Sequence, residues 1–393
     1  VVDAKLIKAG FNGYTYKNLD LKGNIKGGNF KAVADMNDPN LTFDLDAEGG
    51  FGDKYPKAKV KLNVDIADLD KLNLHAGPMK LKGNIDADIE TADVDYLNGT
   101  INATNINIAN AKEQFILDTI SIVATSTAER NSMVVQSQFV KADVNGKYKL
   151  SQIATALQNS IAKYYDTNPS AKKQTTEAQQ VAFTIDVKSD PILMKLVPEL
   201  KSLEPINISG RYNSVNDTIV LNGRIPKVVY GTNTITNAVI DVNTENDSLV
   251  YNVVVDDIQS GKLRLPYTRI SGGVNDNVVG YDLLLRDVAD KDQYAISGKL
   301  EAKGNTTEII LNPDLMLNYQ DWNLPVDNKL AFGKDGILAD NFELSNEGSS
   351  LKVQSQSSTP NSPIAVDFTD FKIETITNIV QMDSLQVAGK LDG

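Results

Sequence analysis

The 393-residue chain contains no cysteine. That absence excludes disulfides, thiolate nucleophiles and cysteine-ligated metals. It fits an oxidising compartment in which stray thiols are a hazard, although cytosolic proteins with few cysteines are also common. His75 is the one histidine, so no histidine-paired nucleophile and no multi-histidine metal site can be built from this chain. Trp322 is the one tryptophan, and aromatic residues make up only 7%; no cluster of them marks a sugar platform. Basic residues number 39 against 51 acidic ones, for a formal charge of -12. A phosphate backbone needs a basic face, so nucleic acid is excluded as a partner. No apolar run approaches the roughly 18 residues that a membrane-spanning helix needs. Phosphate loops and dinucleotide fingerprints are missing too. The chain opens on Val1 without an initiator Met and both ends fall inside a repeating strand pattern. It reads as a piece of a longer protein, with any anchor or targeting signal outside it.

What is present is alternation. From Ala58 to Ile66 the apolar residues Ala58, Val60, Leu62, Val64 and Ile66 are separated by Lys59, Lys61, Asn63 and Asp65, which is a strand with one dry face. The period-2 pattern returns at Met79, Leu81, Ile85, Ala87 and Ile89, at Val181, Phe183, Ile185 and Val187, and at Leu249, Tyr251, Val253 and Val255. Gly27-Gly28, Asn98-Gly99, Asn222-Gly223, Gly272-Gly273 and Glu347-Gly348 read as the turns between strands. Leu21-Lys22-Gly23-Asn24-Ile25 and Leu81-Lys82-Gly83-Asn84-Ile85 hint at degenerate repetition. The pattern breaks between 149 and 180. There Leu150, Ile153, Leu157, Ile161 and Tyr164 fall at helical spacing, followed by a polar linker with Pro169 and Lys172-Lys173. The chain thus divides into a β segment over 1–148, a helix and linker over 149–180, and a second β segment over 181–393. Asp190-Pro191 starts a short helix near 190–200 as N-cap and N1 residues, and another short helix is expected over 374–381.

Catalytic and metal-binding readings find little support. His75 follows a predicted turn or strand end and lacks the partners a general base requires. Asp44, Asp46, Glu48 and Gly49 match the opening of a calcium loop, but its twelfth position is Tyr55 where a bidentate Glu is needed. The simpler reading is a strand with Leu41, Phe43 and Leu45 inward and the acids outward. The pairs Asp86 and Asp88, and Asp93 and Asp95, share a strand face as glycosidase carboxylates must, and any acidic sheet shows the same on its wet side. The helix near 150–165 fits either a core element or an amphipathic surface element. Asp118-Thr119-Ile120, Asp217-Thr218-Ile219, Asp247-Ser248-Leu249 and Asp383-Ser384-Leu385 have the form of a periplasmic O-glycosylation acceptor, and equally that of ordinary turns. No cofactor and no enzymatic activity are implied.

The run from Asp38-Pro39-Asn40-Leu41-Thr42-Phe43-Asp44-Leu45 into Ala58 to Leu69 resembles the TamB branch of the AsmA-like superfamily. So do Leu81-Lys82-Gly83-Asn84-Ile85-Asp86-Ala87-Asp88, Phe183-Thr184-Ile185-Asp186-Val187 and Ile206-Asn207-Ile208-Ser209-Gly210-Arg211-Tyr212. The resemblance implies a middle segment of a periplasmic protein anchored in the inner membrane of a Gram-negative envelope. Its fold would be mainly β: an elongated, mostly antiparallel sheet curled into an open groove (a β-taco) with one amphipathic helix and one or two short helices. Its function would be to carry phospholipid acyl chains between inner and outer membrane. An outer-membrane barrel partner, met through a C-terminal region outside this chain, would add a role in outer-membrane protein assembly. The expected lipid-binding residues, one alternating row per strand, are Val60, Leu62, Val64, Leu81, Ile85, Ile89, Ile101, Phe183, Ile185, Ile206, Ile208, Val253 and Val255. Alternation fixes a face without naming what covers it, so the same residues also suit an ordinary core. The rival expectation is a structural or adhesive β-sandwich array that binds protein or glycan; a sandwich would bring large aromatics together across its core.

Overall fold

The computed structural model describes residues 1–51, 54–166, 174–261, 263–304, 306–334, 336–378 and 388–393. As expected, the chain is mainly β: among the described residues, one large antiparallel sheet with three short helices. The sheet is not strongly curled. The chain divides into two compact units, residues 1–153 with 179–196 and residues 154–178 with 197–393.

The first unit contains β1 (Val2–Phe11), β2 (Tyr14–Lys26), β3 (Asn29–Asp38), β4 (Leu41–Gly50), β5 (Lys57–Asp68), β6 (Met79–Thr91), β7 (Asn98–Asn110), β8 (Gln114–Leu117), β9 (Ile120–Ser126), β10 (Asn131–Gln136) and β11 (Val140–Lys147). The chain leaves it through the first turn of α1 (Leu150–Tyr164), then returns for β12 (Gln180–Val187) and α2 (Pro191–Leu196). Each strand pairs antiparallel with its chain neighbour, except that β7 splits its length between β8 and β9. The unit boundary falls later than the alternation suggests, because β12 pairs along its whole length with β11, from Val140↔Val187 to Lys147↔Gln180. α2 starts where the sequence places it: Asp190 Oδ1 accepts the Ile192 N–H at 2.8 Å, the capping bond that spares an orphan donor of the first turn.

The second unit holds the rest of α1, then β13 (Leu200–Leu203), β14 (Ile206–Asn213), β15 (Thr218–Tyr230), β16 (Asn233–Glu245), β17 (Ser248–Ser260), β18 (Leu263–Asn275), β19 (Val278–Arg286) and β20 (Asp292–Lys303); β13 and β14 share the length of β15, and from β15 to β20 the strands form a meander. At β20 the sheet forks. Residues 298–303 pair with β21 (Thr306–Leu311), while Tyr294 and Ala295 pair with β22 (Asp314–Leu317). β22 continues through β23 (Gln320–Asn323), and β21 through β24 (Lys329–Gly333) and β25 (Gly336–Asp340). β26 (Phe342–Asn346), β27 (Ser349–Ser355) and β28 (Ile364–Thr369) complete the main sheet, and β29 (Phe371–Lys372) and β30 (Lys390–Leu391), flanking α3 (Glu374–Thr377), form a separate pair. α3 covers the start of the expected helix over 374–381 and Asn378 is its C-cap; positions 379–381, like Lys172-Lys173 and Asp383-Ser384-Leu385, lie outside the described residues.

Three expected turns lie within strands instead. Asn98-Gly99 opens β7, opposed to Thr91 and Ile89. Asn222-Gly223 lies within β15 and Gly272-Gly273 within β18. A Cβ on Gly272 would meet the Gly280 carbonyl oxygen at 1.9 Å and the Tyr251 hydroxyl at 2.9 Å, so this glycine serves close approach rather than reversal. The helix also rolls away from its expected face. α1 buries Ala156, Ser160 and Tyr164, whereas Ile161 is 40% exposed. Small side chains let the helix approach closely, and polar bonds settle its rotation: the Ser160 hydroxyl donates to Asp217 at 2.7 Å and lies 2.9 Å from the Tyr212 hydroxyl.

Candidate functional site

Cross-strand register turns the separate alternating patterns into continuous rows. Gly23, Ala32, Ala47, Val60, Ala87, Ile101, Ile122, Val135, Ala142 and Ile185 are successive opposed partners from β2 through β12, β8 aside. On one side of this row runs Ala34, Leu45, Leu62, Ile85 and Ala103. On the other runs Phe30, Gly49, Ala58, Ile89, Gly99, Ala124, Met133, Val144 and Phe183. Directly opposed residues of a sheet project from the same face, so these three rows form one apolar surface. All described strands of the first unit belong to a single sheet, and most residues of these rows keep an intermediate exposure; Ile85 is 37% exposed. A sealed core residue would lose nearly all of it.

The reverse face is charged. Asn24, Lys31, Glu48, Lys59 and Asp88 are successive partners there, and Lys31–Glu48 and Lys59–Asp88 pair at 2.8 Å. The Lys31 hydrogen bond holds the Glu48 carboxyl below its ordinary value. Asp44, Asp46 and Glu48 thus lie outward on β4 with Phe43 and Leu45 inward, the strand reading of the calcium-like segment. No group of three or more metal-ligating side chains occurs among the described residues. Asp35 and Asp44 are directly opposed, and their hydrogen bond raises the Asp35 carboxyl.

Bulges keep the apolar face on one side. Between Val64 and Ala67 the register against β6 shifts, so Ile66 leaves the row that simple alternation gives it and pairs with Thr42. Ala67, 5% exposed, takes the inward place. In β7 a second shift is centred on Asn105, whose φ is 51°, the left-handed region that asparagine tolerates. It brings Ile106 and Ile108 to the same face as Ile101. There they form a small closed cluster with Phe115 and Leu117, against which Leu81 and the α2 residues Ile192 and Leu196 pack. Leu81 therefore belongs to a capped end of the face, whereas Val60, Leu62, Val64, Ile85, Ile89, Ile101, Phe183 and Ile185 lie on its open stretch.

The second unit repeats the arrangement. Ile208, Gly223, Ile240, Val253, Ile270, Leu283 and Ile296 are successive partners, with Ile206 two residues along β14 on the same face. A parallel row runs Val242, Tyr251, Gly272, Tyr281 and Gly298. Its tyrosines alternate with glycines, and burial raises the hydroxyls of Tyr251 and Tyr281 above the ordinary tyrosine value. Val255 is 8% exposed and leads through Thr268 and Leu285 to Tyr294. From there the face closes into a core of Leu285, Tyr294, Leu315, Leu317, Trp322, Leu324, Phe342, Leu344, Leu351 and Phe371. Trp322 and Phe371 meet edge to face at 5.5 Å.

The alternation thus locates the face and members of each of its three rows in the first unit: Val60, Ile101 and Ile185 in one, Leu62 and Ile85 in the next, Ile89 and Phe183 in the third. The Ala- and Gly-rich contributions of β2–β4 escaped it, since small residues carry a weak apolar signal, and so did the larger Ile122, Met133, Val135 and Val144 of β9–β11, whose strands are short. His75 is an exposed loop residue whose Nδ1 lies 3.1 Å from the Gly77 carbonyl. The Asp95 carboxylate binds the Ser151 N–H and hydroxyl. No helix of the described residues is long and apolar enough to cross a membrane. No family model, curated protein or solved structure matches this chain.

Proposed function

We propose that this chain is a segment of an envelope-spanning protein of the TamB and AsmA-like kind, and that its apolar sheet face, as the lining of an open groove, carries phospholipid acyl chains between inner and outer membrane. The reading places it in the periplasm, with its parent anchored in the inner membrane and engaging an outer-membrane barrel through a further C-terminal region. One observation supports it above the others: the apolar rows continue in register across β2 to β12 and remain half-exposed, with a charged face behind them. Acyl chains need apolar contact without directional chemistry, and about ten buried methylenes are worth roughly 8 kcal/mol at 0.8 each.

A structural or adhesive sandwich remains the second reading, favoured by the aromatic core around Trp322. The two separate on the row itself. Leu62→Asp with Val64→Asp puts charges on the apolar face, and Asn63→Lys with Asp65→Lys is the control centred on the opposite face. The lipid reading expects the first variant to stay folded and lose photo-crosslinked or co-purified phospholipid, while the control retains it. An apolar-face variant that captures lipid as well as the control would overturn the assignment. One that unfolds outright would place the row in a closed core, at the several-kcal/mol cost of buried unpaired charge.

A further inference from the structure

The closed end of the second unit holds buried donors that its own groups leave unsatisfied. The Tyr294 hydroxyl, the Trp322 Nε1–H and the Thr268 hydroxyl are buried without a hydrogen-bond partner among the described residues. Tyr294 and Trp322, 1% and 2% exposed, belong to one core. Thr268 and Tyr294 flank Leu285 as its opposed partners on β18 and β20. Burial pushes the Tyr294 hydroxyl above the ordinary tyrosine range, so it remains a donor. Each of these groups forfeits the hydrogen bonds it makes in water, a cost that the surrounding apolar contacts offset without removing.

The strands that close this core meet the rest of the sheet at narrow seams. Tyr294↔Leu317 and Ala295↔Met316 are the ladder pairs between β20 and β22, and among the described residues Asn323↔Ser345 is the one pair between β23 and β26. Side chains supply further ties: Asn346 donates to the Asp321 carbonyl at 2.6 Å, and the Ala339 and Asn341 N–H groups donate to Ser355 and Gln354. By contrast β26, β27 and β28 pair with one another along their lengths, so they can move as one body. On the other side of the seam Leu283 and Ile296, the last members of the open row through Ile270, pack against the same core. The open face runs straight into the closed one. We propose that β26–β28 form a gate that swings away from β20–β23 at the Asn323–Ser345 seam, and that its opening lengthens the apolar face an acyl chain can occupy; the second half rests on the acyl-chain reading above. Opening gives Tyr294, Trp322 and Thr268 water or an ester carbonyl to donate to, so it costs less than the apolar burial alone implies.

Hydrogen exchange on the unaltered chain should show the β26–β28 amides opening separately from, and more readily than, those of β16 and β17. Y294F/T268V removes two of the orphan donors while nearly keeping the side-chain shapes. It should slow exchange over β26–β28 roughly tenfold or more and leave β16 and β17 unchanged. Because the chain has no cysteine, N323C/S345C can form a single disulfide across the seam, at an opposed pair whose spacing suits one. Oxidised, this variant should show less acrylamide quenching of Trp322 than the same protein reduced. A photoactivatable phosphatidylcholine should label β22 and β23 in the reduced form and spare them in the oxidised form, with β5 and β6 labelled in both. Exchange that is unchanged or faster in Y294F/T268V overturns the gate, since the two hydroxyls are then already satisfied by internal water. So do β26–β28 amides that exchange only on global unfolding, or Trp322 quenching indifferent to oxidation. Label on β5 and β6 but never on β22 and β23 overturns the gate's part in lipid capture and leaves the acyl-chain reading standing. If no strand is labelled, the acyl-chain reading fails and takes that part with it, while exchange and quenching still decide whether the gate opens.

Discussion

At the scale of single residues, the structure depends on polar groups whose importance alternation does not reveal. Asp38 is 1% exposed at the end of β3. Its carboxylate accepts from the Tyr14 hydroxyl at 2.5 Å, the Lys17 N–H at 2.9 Å and the Asn40 N–H at 2.8 Å. Burial alone would raise this carboxyl, but those three donors outweigh it and hold it below its ordinary value. A depressed folded value stabilises above the unfolded one, near 3.9, and the contribution is lost as pH falls through the folded value. Asp38→Ala should therefore cost about 1–3 kcal/mol near neutrality, the penalty for stranding donors, with a gap in urea midpoint from the unaltered chain that narrows below about pH 4. Asn105 makes a second case: Asn105→Val should cost on the order of 1–2 kcal/mol for its left-handed backbone, and Asn105→Gly should be nearly neutral in the same assay. Neither role was legible beforehand. Asp38 enters the sequence reading only as the first residue of the run Asp38-Pro39-Asn40-Leu41, and the β7 bulge leaves no mark in a period-2 pattern except that Ile106 and Ile108 fall out of step with Ile101 and Ala103.

At the scale of elements, the long strands were legible because each shows one dry and one wet face over enough residues to exclude a helical period. α2 was legible from its Asp190-Pro191 start. The rotation of α1 was not, because hydrophobicity marks Leu150, Ile153, Leu157 and Ile161 along with Tyr164, while of that stripe only Tyr164 is buried, beside Ala156 and Ser160. The Tyr164 hydroxyl donates to the Asp217 carbonyl at 2.8 Å, and Lys163 pairs with the Asp217 carboxylate, so polar bonding outranks the apolar stripe in setting the helix. Chemical denaturation should then invert the expectation from hydropathy. Ser160→Val, which deprives Asp217 and Tyr212 of a buried partner, should lose about 1–3 kcal/mol, while Ile161→Ser should stay within roughly 0.5 kcal/mol of the unaltered chain.

At the scale of the whole molecule, alternation predicted a sheet with one apolar face, and the structure adds that this face is treated in two ways. Over the first unit it stays half-exposed; beyond β20 it closes around Trp322. Closure was illegible because it follows from the fork at β20, where pairing passes from β21 to β22, a choice no single strand encodes. Trp322→Phe should cost about 1–3 kcal/mol through altered core packing, and Trp322→Ala about 3–5, both read from the thermal transition. Since Trp322 is the only tryptophan, its emission reports on this core alone, and Leu62→Asp with Val64→Asp should leave its native wavelength unchanged. The row through Val60 has a further consequence. Neighbouring strands are about 4.8 Å apart, and from Gly23 to Ile185 each step meets another small or aliphatic side chain, with no charge or hydrogen-bond donor to mark a stopping place. On the proposed function, an acyl chain lying across it would find a nearly level free-energy profile, along which thermal motion would suffice for displacement and direction would be set by the difference in lipid supply between the two ends.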